Sequence, residues 1–371
     1  MQKQKTALVN GRIFNGDDSF LGHALLLEGD RIHGIFPQHA IPEDYIQLDV
    51  DNGNICAGLI DLQIYGTGDD LFSAQLSAES LHKIEQQILA QGCTSFMMTL
   101  ATNTLSVFKE AIRIFEAAQP KIALGLHLEG PFLNVNKRGA HPAALILPPT
   151  PENIDRLLEE NQGSVKMMTV APELIDKDAI DSLLERGILL SAGHSAATFA
   201  EATAGFHRGI KTTTHLWNAM SPLHHRETGL PGATVQHQTT MASIIVDGIH
   251  VDYEAVKISK QLMQDRLFLI TDAVGGCNEG VYQHVRNNDH YTLPDGTLSG
   301  SALTMLGAVK NCVEQAGIPL EEAIRMATTY PARLIDREDL GNLNSASVAN
   351  VLVFDAHYNV QSVFFEGVKR V

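Results

Sequence analysis

The chain has 371 residues, of which 44% are hydrophobic and 19% charged, and it carries a formal net charge of −16. This composition builds a core and excludes a disordered or fibrous chain. The negative balance argues against non-specific binding to nucleic acid or to an anionic membrane. Four scattered cysteines without a CxxC, no apolar leader in residues 1–10, and no run of ~18–20 apolar residues predict a cytoplasmic protein with reduced thiols and no membrane span.

Residues 1–57 read as β-rich. Short strands are expected over 6–14, 24–30 and 31–35, punctuated by Asn-Gly and Gly-Asp turn signals. The C-terminal end reads alike, over 350–355, 360–365 and 368–371. Two β-rich ends predict one small β-sandwich domain built from residues 1–57 and 345–371.

Residues 58–344 alternate strand and helix. Strands are expected at 58–65, 94–101, 122–129, 165–171, 188–194, 211–215, 242–247 and 267–272. Helical stripes fall between most of them. Leu81, Ile84 and Ile88 form one, and Phe108, Ala111, Ile112 and Phe115 another. Eight such strands predict an α/β fold, a (β/α)8 TIM barrel. A doubly wound sheet is the other option, but no GxGxxG follows any strand. Two long loops, 218–236 after strand six and 274–301 after strand eight, are expected to cover the barrel mouth, the second with a hairpin turn at Asp295-Gly296.

The chemistry gathers where strands end. Gln63 closes strand one, Glu129 strand three, His194 strand five, His215 strand six and Asp272 strand eight, with His250 just after strand seven. A barrel puts its active site at that end. Glu129, His194 and His215 offer one oxygen and two nitrogens, the layout of a catalytic metal site with an open position. A divalent ion there polarises a carbonyl and activates water. Asp272 would take and return the proton, with His250 and His141 orienting or stabilising an oxyanion. Blander readings hold elsewhere. His127 is expected to be structural, His224 and His225 solvated, the Met97-Met98 and Met167-Met168 pairs core, and Cys277 a bystander.

In order, the stretches His127-Leu128-Glu129-Gly130-Pro131-Phe132, Ser191-Ala192-Gly193-His194-Ser195, Thr214-His215-Leu216-Trp217-Asn218-Ala219-Met220, Asp247-Gly248-Ile249-His250, Thr271-Asp272-Ala273 and Leu298-Ser299-Gly300-Ser301 resemble the amidohydrolase superfamily. Within it they are similar to the N-acetylglucosamine-6-phosphate deacetylases. The resemblance implies hydrolysis of an N-acetyl-hexosamine 6-phosphate to the free amine and acetate. It implies Glu129, His194 and His215 as metal ligands, Asp272 as acid and base, and His141 polarising the amide carbonyl. Asn218, Ala219, Arg226 and His250 would hold the phosphosugar, with Ala140 and the Leu298, Ser299, Gly300, Ser301 loop closing over it. A homo-oligomer, expected as a dimer, is implied too, with Arg226 able to act in trans.

One departure bears on the metal. Many amidohydrolases carry His-x-His at the end of strand one, and this chain has Gln63-Ile64-Tyr65. One divalent ion is therefore expected rather than two. His2Glu suits zinc but tolerates iron, cobalt or manganese. Gln63 is assigned to substrate rather than metal. The alternatives are an N-acetylgalactosamine-6-phosphate deacetylase, another amidohydrolase such as a ring amidase or nucleobase deaminase, or a non-catalytic barrel.

Overall fold

The structure is a computed structural model and describes residues 4–371. The chain divides into two compact units. One holds the N-terminal segment to Asp61 with Gln86–Ser95 and Thr304–Val371, and the other Leu62–Glu85 with Phe96–Leu303.

The first unit contains the expected sandwich. A four-stranded sheet runs in the order Arg31–Pro37, His23–Glu28, Lys5–Val9, Ile46–Asp49. A six-stranded sheet interleaves the two ends of the chain. Its Val351–Phe354 strand pairs antiparallel with Asn54–Ala57, register Val351 to Ala57, and Arg12–Asn15 lies on the far side of Asn54–Ala57. Leu8, Leu25, Leu27, Ile55, Val351 and Phe364 share one buried core. Residues 6–14, expected as one strand, are two. Asn10 turns at φ +60°, so Lys5–Val9 joins one sheet and Arg12–Asn15 the other. The strands Asp18–Phe20, Ile46–Asp49 and Asn54–Ala57 were not expected.

All eight expected barrel strands form: β1 (Leu59–Ile64), β2 (Cys93–Ala101), β3 (Ala123–Glu129), β4 (Val165–Val170), β5 (Leu189–Ala192), β6 (Thr212–Thr213), β7 (Met241–Ile244) and β8 (Leu267–Leu269). They lie in one eight-stranded sheet in sequence order, and successive strands from β2 to β8 pair in parallel. Just past β8 the ring closes on β1. The Asp272 N–H donates to the Gln63 carbonyl and the Tyr65 N–H to the Ala273 carbonyl, each across 2.9 Å. β1 is buried along its whole length, as a strand covered on both faces must be.

Both long loops contain regular structure. The 218–236 loop ends in a helix, Gly229–Gln236, which its two glycines and one proline hid from propensity. The 274–301 segment forms a three-stranded antiparallel sheet of Val285–Asn287, His290–Thr292 and Leu298–Ser301. The last two strands flank the expected turn, where Gly296 takes φ +86°. Among the described residues no helix is long and apolar enough to cross a membrane.

Candidate active site

The strands deliver their terminal residues to one pocket through unusual backbone. His194, His215 and Asp272 have φ values of +47°, +33° and +53°. Such left-handed conformations are costly for side chains other than glycine and gather at functional sites. After Glu129 the chain leaves at Gly130 with φ +88°. A Cβ there would stand 2.2 Å from Thr102 Oγ1, so Gly130 cannot be replaced without moving the Thr102 hydroxyl, which donates to the Glu129 carbonyl. Gly193 is equally constrained, since its Cβ would meet Thr169 Cγ2 at 2.7 Å.

Three ligand atoms converge. Glu129 Oε1 lies 3.2 Å from His194 Nε2 and 3.0 Å from His215 Nε2, and the two nitrogens are 3.2 Å apart. Bonds of about 2.0–2.1 Å to a tetrahedral ion give ligand edges of about 3.3 Å, so the trio fits a divalent metal. His194 is set for this role because its Nδ1–H donates to the Lys137 carbonyl across 2.9 Å, leaving the Nε2 lone pair facing the cluster. His215 Nδ1 is buried and has no hydrogen-bond partner among the described residues.

Glu129, His141 and His194 also place ligand atoms within 4.8 Å of one another. His141 has a different job. The Thr102 N–H donates to His141 Nδ1 across 3.2 Å, so that nitrogen carries no proton. Nε2 therefore keeps its hydrogen and donates to Glu129 Oε2 at 2.9 Å. It is a hydrogen-bond donor aimed into the pocket, and its lone pair is spent on Thr102.

The strand-one residues grip the carboxylates. Tyr65 donates its hydroxyl to Glu129 Oε2 across 2.6 Å. Gln63 Nε2 donates toward Glu129 Oε1 at 3.0 Å, Asp272 Oδ1 at 2.7 Å and the Tyr65 oxygen at 2.9 Å. Burial opposes the charge of Glu129, but the surrounding His194 and His141 outweigh it and hold the carboxyl well below its usual range. For Asp272 burial wins. It pushes the carboxyl up against the pull of His215, and the charge of Glu129 acts in the same direction as burial. Burial also drives Tyr65 well above the usual phenol range, and its proton stays on.

His250 is held by Asp247. Its Nδ1–H donates to Asp247 Oδ2 across 2.6 Å, while Asp247 Oδ1 accepts from the backbone of Ile249 and His250. Burial would raise the Asp247 carboxyl, but the hydrogen bond from His250 turns the shift downward. This pair fixes the imidazole at the pocket wall.

Ala140, His141, Asn218, Ala219, His250, Leu298, Ser299 and Gly300 line the same pocket as Glu129, His194, His215 and Asp272. Three expected residues do not reach that wall. Gln63 is buried beneath it and occupied by the carboxylates. Ser301 is fully buried and spends its hydroxyl on the Thr271 carbonyl, bracing the turn at Asp272. Arg226 is exposed and outside the lining. His127 is a satisfied core histidine between the Leu62 carbonyl and Thr169 Oγ1, with its pKa pushed down to about 4 by burial. The sequence reading passed over Tyr65 as a wall residue, and over Tyr282 and His284 entirely. In the structure Tyr282 and His284 are buried between exposed neighbours, and with Val281 and Val285 among the exposed residues the sequence carries no such pattern.

A buried Glu/His/His cluster fit for a metal, beside a carboxylate at the C-terminal mouth of a (β/α)8 barrel, defines a metal-dependent hydrolase site. The amidohydrolase family matches residues 54–370, and a NagA composite domain matches residues 6–55. The chain belongs to the amidohydrolase family. The N-acetylglucosamine-6-phosphate deacetylase of Haemophilus influenzae is 36% identical to it, over 98% of each chain. The crystal structure of the deacetylase of that name from Pasteurella multocida matches with a TM-score of 0.94 at 33% identity, covering 99% of this chain and 100% of that one. A mutant of the Mycobacterium smegmatis enzyme, solved in complex with N-acetyl-D-glucosamine-6-phosphate, matches with a TM-score of 0.89 at 26% identity, covering 100% and 99%.

Proposed function

We propose that the chain hydrolyses N-acetyl-D-glucosamine 6-phosphate to D-glucosamine 6-phosphate and acetate. The observation that carries this is the convergence of the Glu129, His194 and His215 ligand atoms within 3.2 Å, with Asp272 and the His141 donor on the same pocket wall.

One divalent ion, with zinc the best match to two imidazoles and a carboxylate, would be held by Glu129, His194 and His215. It would polarise the acetamide carbonyl and acidify a water. Asp272 takes the proton of the attacking water and later returns it to the departing amine nitrogen. His141 Nε2–H donates to the carbonyl oxygen as negative charge develops there. Gln63 and Tyr65 fix the two carboxylates, and we assign them no direct part in the chemistry. Asn218, Ala219 and His250 hold the sugar phosphate, with Ala140 and the Leu298–Gly300 edge closing over it. Arg226, remote from the wall of its own subunit, supplies phosphate charge to a neighbouring subunit in a homodimer. The same reading divides the chain into a small β domain of residues 1–57 and 345–371 and a catalytic barrel of 58–344, and places the enzyme in the cytoplasm.

The test is acetate release from the 6-phosphates of N-acetylglucosamine, N-acetylgalactosamine and N-acetylmannosamine and from the unphosphorylated sugars, with metal content measured in parallel. Release from N-acetylglucosamine 6-phosphate above the others supports the assignment. Metal-loaded protein that cleaves none of the phosphosugars refutes it.

A further inference from the structure

The segment over the pocket carries two side chains that the reaction above leaves unused. Val281, Gln283 and Val285 are exposed, while Tyr282 and His284 between them are buried and line the pocket. Tyr282 anchors the pair by donating its hydroxyl to the Thr102 carbonyl across 2.7 Å. Its ring stacks on His284 with centroids 5.9 Å apart and planes 13° from parallel, and Tyr291 meets His284 edge-on at 6.3 Å. The Cys277 N–H donates to the His284 carbonyl, and His284 Nδ1 pairs with Ser299 Oγ across 2.9 Å. The imidazole is thus fixed on every side except one.

That side is the pocket. His284 is 5% exposed, and among the described residues its Nε2 has no hydrogen-bond partner. An imidazole nitrogen that the chain leaves unpaired on a pocket wall is available to a ligand that can bond it. Burial pushes the ring's pKa down to about 4, so it is neutral near pH 7 and offers no charge to a phosphate. Ser299 can accept from Nδ1 or donate to it, and the state of Nε2 follows. A hydroxyl partner suits both outcomes, because it donates as readily as it accepts.

We propose that His284 is a specificity-determining residue whose Nε2 hydrogen-bonds a free ring hydroxyl of the hexosamine, with Tyr282 and Ser299 holding it in register. This rests on the phosphosugar reading above. A site built to bond a hydroxyl discriminates strongly against an analogue that lacks it.

The experiment measures kcat and KM of the metal-loaded full chain on N-acetylglucosamine 6-phosphate and on its 1-deoxy, 3-deoxy and 4-deoxy analogues. Wild type, His284→Ala and His284→Gln are compared. Wild type should lose about tenfold or more in kcat/KM on one analogue. His284→Ala should show a KM raised by about that factor on the parent, unchanged metal content, and no further loss on that analogue. His284→Gln, which keeps a donor and an acceptor, should restore part of the discrimination, and it carries the same comparison if the alanine variant does not fold. Undiminished discrimination in both variants, or a fall in kcat with KM unchanged, overturns the proposal and leaves His284 a packing residue. Wild type inactive on the parent overturns the phosphosugar reading itself and the His284 assignment with it, and that arm separates the two failures.

Discussion

Tyr65 donates its hydroxyl to Glu129 across 2.6 Å, at the strand-one position where many amidohydrolases carry a metal-binding histidine. The bond makes the phenol a support of the carboxylate proposed as metal ligand. It orients Glu129 by occupying Oε2, so that Oε1 faces the two histidines. Tyr65→Phe should lower metal affinity by about 10–100-fold, the usual effect of removing such a support. Chelator competition measures it. An unchanged affinity would mean that His141 and Gln63 orient the carboxylate by themselves.

Glu129 is the only carboxylate in the proposed ligand set. Glu129→Gln should lose bound metal and activity in step, and adding excess zinc should restore neither to the wild-type level. Metal analysis after gel filtration, set beside acetate release, checks this. A variant that keeps its metal would move the ligand role elsewhere.

Asp272 is held by Gln63 and lies outside the proposed ligand trio. Asp272→Asn should keep metal content while turnover falls by about 10²–10⁴-fold, the typical worth of a positioned acid-base group. Turnover near that of wild type would remove Asp272 from the proton path.

Arg226 points to a test of assembly. Arg226→Ala should raise KM with little change in kcat. If the residue serves a neighbouring subunit, mixing Arg226→Ala with Asp272→Asn protein should recover activity, because a mixed dimer contains one site with both groups intact. Failure of a verified heterodimer to gain activity would place Arg226 in its own subunit's site or outside catalysis.

Gly193 lets β5 reach the cluster. A Cβ would come within 2.7 Å of Thr169 and 2.8 Å of Thr214. Gly193→Ala should therefore displace His194 and weaken metal binding more than it lowers the melting temperature of the metal-free protein. Calorimetry with and without chelator separates the two effects.

The barrel was legible because its buried strands are short, mostly apolar runs, and four of them lead into a residue that burial makes expensive. Glu129, His194, His215 and Asp272 mark four strand ends by that conflict. The Asp295-Gly296 turn was legible from its chemistry. The helix Gly229–Gln236 was not, since glycine and proline within it signal a break and only tertiary packing overrides them. Tyr65 was visible but was read for what it is not, a metal ligand, and its role depends on a carboxylate 64 positions away. Tyr282 and His284 lie in a segment read as loop, just before the Val285–Asn287 strand, and they are held by contacts to Thr102 and Ser299 that no local pattern announces.

The sandwich's six-stranded sheet has an implication for synthesis. Its Asn54–Ala57 strand lies between a partner made earlier, Arg12–Asn15, and one made only after the whole barrel, Val351–Phe354. While the ribosome works through the eight barrel strands, Asn54–Ala57 keeps one edge unpaired. Unpaired edges invite aggregation. A nascent chain stalled before Val351 should therefore recruit chaperones more than one released complete, and the shortest viable C-terminal truncation should fall beyond Phe354.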